Sequence, residues 1–399
     1  MAKALKRSLS LPVVTLYGLG NILGAGIYVL VGKVAGVAGY GTTLSFLLAM
    51  FVAGLTAFSY MELSGRYPVS ASVSVYLHKA FGKRWLSVLI GLAMVAGGIA
   101  SAAALAQGFS GYLNIFINVP TIVASVGLLV AIGLLAAKGI GESAVTAAIF
   151  TVVEIAGLLL IIWAGRGALA QISPGDFVRI DPTLGLSGVV AGAFLAFYAF
   201  IGFEDMVNVA EEVKNPRRTM PLAILFSLIA STVLYLLVVI ISITVVPPSE
   251  LAKSSAPLSL VYEQSGARFA GILSIIGITA AVNGVVVQVI MGSRILYGLS
   301  KQGWLRPEFS KVNKTTKTPI IATAVIVGLM IVATIALPLV SLAKITSLLV
   351  LSIFSLVNAS LFVIKRRQKK HDGYITVPIA IPAMGVITSG GLIFYQLIQ

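Results

Sequence analysis

The chain has 399 residues, 58% of them hydrophobic and only 10% charged, with a mean hydropathy of +1.03. That balance excludes a water-soluble domain, and the absence of cysteine excludes disulfides and thiolate chemistry. The formal net charge of +15 sits in short loops, not in a long basic tail, which points to the basic loops of a membrane protein and not to nucleic acid.

Eleven apolar spans follow one another at residues 11–35, 42–64, 86–115, 119–137, 143–165, 187–210, 220–246, 268–298, 319–337, 342–364 and 374–397. Each is about long enough to cross the roughly 30 Å hydrocarbon core as a helix. Lys3, Lys6 and Arg7 before the first span mimic a signal peptide, but the run is too long and lacks a clear cleavage site, so it reads as a retained first helix. Most Lys and Arg fall at the N-terminus and in every second connection, as with Lys83 and Arg84, Arg217 and Arg218, and Lys365 to Lys370. This places the N-terminus in the cytoplasm and, with eleven spans, the C-terminus outside, in the cell membrane. Of the outer connections, 166–186 reads as irregular. Residues 247–267 start at Pro247-Pro248 and turn weakly helical, as an external flap or a passive connector.

The first span contains Gly20-Asn21-Ile22-Leu23-Gly24-Ala25-Gly26-Ile27-Tyr28. Each glycine weakens a helix by roughly 1 kcal/mol relative to alanine. A broken helix in a bilayer is tolerated only where its freed backbone is buried in protein or lines a wet cavity. The stretch is therefore either a break aimed at a solute or a site where small residues let helices pack closely. A second interruption, Phe197-Tyr198-Ala199-Phe200-Ile201-Gly202-Phe203-Glu204-Asp205, falls in the sixth span. The sixth span opens spans 6–10 as the first opens spans 1–5, and an odd helix count makes the second set enter from the opposite side. Two five-helix halves of inverted topology, residues 11–165 and 187–364, with span 374–397 added, form one transporter domain with its substrate between the two breaks.

At this point the chain resembles the amino acid–polyamine–organocation transporters, especially permeases akin to cationic amino-acid transporters. The resemblance rests on Gly24-Ala25-Gly26-Ile27-Tyr28, on Ser59-Tyr60-Met61-Glu62-Leu63 with Tyr67-Pro68 and Tyr76, and on Tyr198 to Glu204 followed by Glu211 to Arg218 and Pro221. Ser293-Arg294-Ile295-Leu296-Tyr297 with Gly303 completes it. It implies an all-α LeuT-type fold and alternating access. It also implies that a substrate carboxylate meets the backbone amides of Ala25 and Gly26, where the helix dipole favours an anion. The substrate's α-amino group would meet the carbonyls of Ile22, Tyr198, Ala199 and Ile201. Tyr198 or Phe200 would act as an aromatic gate, or simply pack. Ala25 departs from the family's usual Ser or Thr, which removes a hydroxyl donor and leaves room for an amine without a carboxylate.

Glu154 stands alone in an apolar span, at a cost of roughly 2.5–3.5 kcal/mol on insertion scales. By the resemblance, proton-coupled relatives carry a lysine there. Reversing the sign leaves three roles: a proton carrier, a ligand of a cation such as Na⁺ together with Asn283, or a neutral strut hydrogen-bonded to Asn283. Glu204 fits the family's acidic position and serves the inner pathway or a substrate's distal cation. Asp205 lies about 100° around the helix from it and faces the same wet region or caps polar neighbours. Glu62 is placed to pair with Arg66. Glu211, Glu212, Arg217 and Arg218 form an inner latch or a solvated loop. His78 and His371 lie too far apart in sequence to suggest a metal site, no phosphate-binding Gly-Lys-Ser/Thr loop is present, and no catalytic set or cofactor is expected. The reading is a secondary transporter of amino acids with H⁺ symport, with exchange of amino acids or amines, or a sensor or channel on the same fold, as alternatives.

Overall fold

The computed structural model describes residues 7, 9–68, 72–139, 144–267, 271–367 and 373–398, without the side chains of Ala25, Ser72 and 144–147. Lys3, Lys6, Glu142, Arg268 and His371 therefore lie outside the described residues. The described chain is mostly helical. Its helices are α1 (Leu11–Leu23), α2 (Ala25–Ala38), α3 (Thr42–Arg66), α4 (Ser72–Phe81), α5 (Arg84–Leu113), α6 (Thr121–Ala137), α7 (Ala144–Ala164), α8 (Arg166–Leu169) and α9 (Gly185–Ala196). They continue with α10 (Pro216–Val245), α11 (Pro248–Lys253), α12 (Pro257–Gln264), α13 (Gly271–Lys301), α14 (Ile320–Ala336), α15 (Leu339–Arg367) and α16 (Ala380–Leu397).

An apolar helix falls on each expected span, and their outer faces are hydrocarbon. Trp163, Leu134 and Ile149 are 61% exposed and Ile387 71%, as lipid-facing side chains are. Small residues bring the helices close. A side chain at Gly32 or Gly36 would run into Leu251 or Ala252 of α11, so the Gly32-x-x-x-Gly36 face of α2 carries the outer connection directly against it. Lys33 adds a hydrogen bond of 2.6 Å to the Ala252 carbonyl at the end of α11. Buried polar groups supply further ties. Asn358 of α15 donates to Thr56 at 2.8 Å and accepts from Ser59 at 2.6 Å, both on α3.

Three elements differ from the sequence reading. The connection after α3 contains the helix α4, because Val73, Tyr76, Leu77 and Ala80 form one buried face along it. The sixth span breaks where the sequence placed an interruption, but it does not resume as an α-helix. It passes through a 3-10 turn, Phe197–Phe200, an extended Ile201, and a 3-10 segment, Phe203–Glu212. The last helix starts at Ala380, not near residue 374, since the residues before it are held on the Glu62 carboxylate through the Val377 amide at 2.8 Å.

Candidate functional site

The two interruptions are geometrically distinct. The first is one residue wide: Gly24, at φ −27° and ψ −173°, is at once the last cap of α1 and the first of α2, and no side chain caps the α2 N-terminus. The second turns on Gly202 at φ +130°, a conformation that a Cβ disfavours strongly. They lie against each other. A Cβ on Gly202 would meet the carbonyl and carbon of Asn21 and the amide of Ile22, and one on Gly26 would come within 2.9 Å of the Ala199 Cα.

Tyr235 of α10 fastens the pair. Its hydroxyl lies 2.6 Å from the Ile22 carbonyl and 3.0 Å from the Ala199 carbonyl, so its single proton serves one acceptor from each interruption. Both carbonyls keep a second lone pair. Nothing around residue 235 in the sequence distinguishes this tyrosine from a packing aromatic.

Two small cavities adjoin the breaks. The larger, about 50 Å³, touches Asn21, Ile22, Gly24, Gly26, Ser101, Tyr198, Ile201, Asp205, Asn283 and Gln288. That volume exceeds the roughly 10–15 Å³ a cavity needs to admit a water, so it is roomy enough for solvent or a small polar group. The smaller, about 30 Å³, shares Ser101, Ile201, Asp205 and Gln288 with the larger and is also lined by Tyr60, Met94, Glu204 and Met291.

The sequence-derived candidates sort as follows. Ile22, Gly26, Tyr198 and Ile201 line the larger cavity, and Ala25 contributes the first residue of α2, its side chain lying outside the described residues. Ala199 lies behind the wall. Tyr198 points its hydroxyl to Ser101, 2.9 Å away. Phe200 lines neither cavity and stacks edge-on with Tyr235, ring centres 5.4 Å apart. Asn283 lines the larger cavity and donates to Glu154 at 3.2 Å, while Glu154 is fully buried and lines neither. The Glu204 carboxylate accepts from the Gly202 amide at 2.8 Å, capping the restart of the helical path.

Sequence reading assigned no site role to Asn21, Ser101 or Gln288, whereas Asp205, expected to face the wet region or cap polar neighbours, borders both cavities. Asn21 Nδ2 and Gln288 Oε1 are buried without a hydrogen-bond partner among the described residues, and both residues border the larger cavity. The only advance sign was their polarity in apolar spans.

The family model for amino acid permeases matches residues 9–398. The chain is similar to the branched-chain amino acid permease BcaP of Bacillus subtilis, 32% identical, covering 92% of this chain and 82% of that protein. It is also similar to the methylthioribose transporter of B. subtilis, 29% identical over 99% of this chain and 89% of the relative. A cationic amino acid transporter of Arabidopsis thaliana, number 3, mitochondrial, is 29% identical over 95% of this chain and 64% of its own length.

Proposed function

The chain belongs to the amino acid permease family, within the amino acid–polyamine–organocation superfamily, and from that premise we propose that it moves amino acids across the cell membrane by alternating access. It is a transporter and not an enzyme. The proposed architecture is the LeuT-type inverted repeat, residues 11–165 against 187–364, with the N-terminus in the cytoplasm and the C-terminus outside. One observation carries the reading: the two helix interruptions pack on each other and share a small cavity lined by polar groups.

In the proposed complex, the substrate carboxylate sits at the uncapped start of α2, against the amides of Ala25 and Gly26. Asn21 Nδ2, buried and lacking an acceptor, supplies a side-chain donor that Ala25 does not. The α-amino group takes free lone pairs of the Ile22, Tyr198 and Ile201 carbonyls, which border the cavity, while the Ala199 carbonyl, set behind the wall, is held by Tyr235. Tyr198 gates the cavity, and Phe200 supports the break from behind. Uptake of labelled amino acids into proteoliposomes tests this. Saturable, stereoselective flux is expected, whereas non-saturating flux would assign a channel and binding without flux a sensor.

For coupling, we propose that Glu154 carries a proton, with Asn283 linking it to the cavity and Glu204 serving the inner pathway. Glu154→Gln keeps the shape and the Asn283 contact but cannot ionise. It should abolish the dependence of uptake on external pH. Retained pH dependence removes the carrier role. The hydrogen bond to Asn283 also favours a second reading, in which Glu154 is an interhelical strut and the protein exchanges one amino acid or amine for another. Uptake that needs internal substrate and ignores an imposed pH gradient would select exchange.

A further inference from the structure

The turn between α4 and α5 and the turn after α13 meet at one face of the molecule. Buried Val73, Tyr76, Leu77 and Ala80 form the inner side of α4 and leave Lys79 on its outer side. Lys83 and Arg84 follow, both exposed, at the start of α5. After α13, the Trp304 amide donates to the Leu299 carbonyl at 3.0 Å and the Ser300 hydroxyl to the Arg306 carbonyl at 2.6 Å, which folds the turn back onto the helix end. Trp304 is thereby held where the Arg84 guanidinium rests over its ring, 5.6 Å from the centre. Lys301, also exposed, ends α13 beside this turn. From α15, Arg367 Nη1 donates to the Ala80 carbonyl at 2.8 Å and brings a further exposed cation to the end of α4.

Four helices thus deliver Lys79, Lys83, Arg84, Lys301 and Arg367 to one ridge. None of these side chains forms an ion pair among the described residues, and neither does Glu308, which follows the α13 turn. Gathered positive charge of this kind repels itself and attracts an anion. A second feature fixes what kind of anion. Next to the ridge on α5, Trp85, Leu89 and Leu92 are 61%, 52% and 39% exposed. Their spacing of four and then three residues puts them in one outward strip along the helix. Cations, then a tryptophan, then leucines is the order of headgroup, interface and hydrocarbon in a bilayer. A soluble anion would use the ridge and leave the strip idle.

We propose that this ridge and strip bind an anionic phospholipid of the leaflet they face, its phosphate held by Lys83 and Arg84 and an acyl chain lying along Trp85, Leu89 and Leu92. Stacking on Trp304 fixes the plane of the Arg84 guanidinium, while its N–H donors meet no acceptor among the described residues, which presets a fork for a phosphate. Lys79, Lys301 and Arg367 add attraction of longer range, which salt screens. Arg84 precedes the cavity-lining Ser101 by about 25 Å along α5, so the lipid site stands or falls apart from the transport reading.

Trp85 and Trp304 are two of the three tryptophans in the chain, so binding is readable as energy transfer from tryptophan to phosphatidylglycerol carrying a pyrene on one acyl chain, with the full-length protein in detergent. Unlabelled phosphatidylglycerol should displace the probe at least about tenfold more effectively than phosphatidylcholine, and glycerol 3-phosphate should leave it in place. Lys83→Gln combined with Arg84→Gln should weaken probe binding at least about tenfold. Lys138→Gln combined with Lys314→Gln removes two exposed cations near the end of α6 and should change it by less than about twofold. Equal displacement by the two phospholipids overturns the proposal. An equal loss in the α6 pair also overturns it, because bulk charge then replaces a site, and displacement by glycerol 3-phosphate assigns the ridge to a soluble anion instead. If the Lys83 and Arg84 variant does not fold, the displacement series on the unsubstituted protein decides.

Discussion

Glu62 and Asp205 are both buried carboxylates, and their surroundings are opposite. Glu62 is completely enclosed and completely answered. Arg66 donates from Nε at 2.9 Å and from Nη2 at 2.6 Å, Lys365 reaches both oxygens at 2.9 and 2.7 Å, and the Val377 amide adds 2.8 Å. The cluster joins α3, α15 and the segment leading to α16. Asp205 has a cavity where Glu62 has cations. The comparison teaches how to separate structural from functional charge in an apolar chain. A carboxylate whose acceptors are filled by its own fold holds helices together, and one whose acceptors face a void is shaped for something that arrives later.

The strongest way to break the comparison is Glu62→Ala. It strands Arg66 and Lys365, whose side chains are only 5% and 13% exposed, and should cost about 3–5 kcal/mol in a detergent unfolding series. No loss would mean that the cluster is decorative. Tyr235→Phe should come next. It removes the one proton shared between the Ile22 and Ala199 carbonyls and should cost about 1–3 kcal/mol while weakening substrate binding, read by melting with and without ligand. Asp205→Asn should go the other way. Removing an unanswered charge should raise the stability of the ligand-free protein, by on the order of 1 kcal/mol. A destabilised apo form would place Asp205 beside Glu62 as structure.

The smallest effect concerns a carboxylate at the surface. The Thr183 hydroxyl and amide, with the amides of Leu184 and Tyr40, hold Asp181 below its ordinary value of 3.8. A lowered folded value stabilises above the unfolded value, and that share is lost as pH falls through the folded one. Asp181→Ala should therefore flatten the loss of stability below about pH 4. At neutral pH the change should stay under about 1 kcal/mol, because water screens the site.

Much of the path to these residues was legible in the chain. The eleven spans follow from hydropathy, and the breaks at Gly24 and Gly202 follow from placing helix-weakening residues where unsatisfied backbone is expensive. The Glu62–Arg66 pair follows from spacing of four, and the Asn283–Glu154 contact from two polar residues in otherwise apolar spans. The α4 helix was missed because its apolar face is short and begins after a Tyr-Pro loop. The 3-10 course of Phe203–Glu212 was missed because apolar patterning does not separate i+3 from i+4 bonding over a few turns.

What the amino-acid order determined by itself is local: which stretches prefer lipid, and where a helix cannot continue. Which of two adjacent carboxylates is capped and which is left facing a cavity was decided only in three dimensions. Glu204 reaches back to Gly202 within its own turn, whereas the state of Asp205 depends on α5 and α13 leaving a space beside it. A hydrogen-bond vacancy is a property of what surrounds a residue, and in this chain those surroundings come from residues as distant as Ser101 and Gln288.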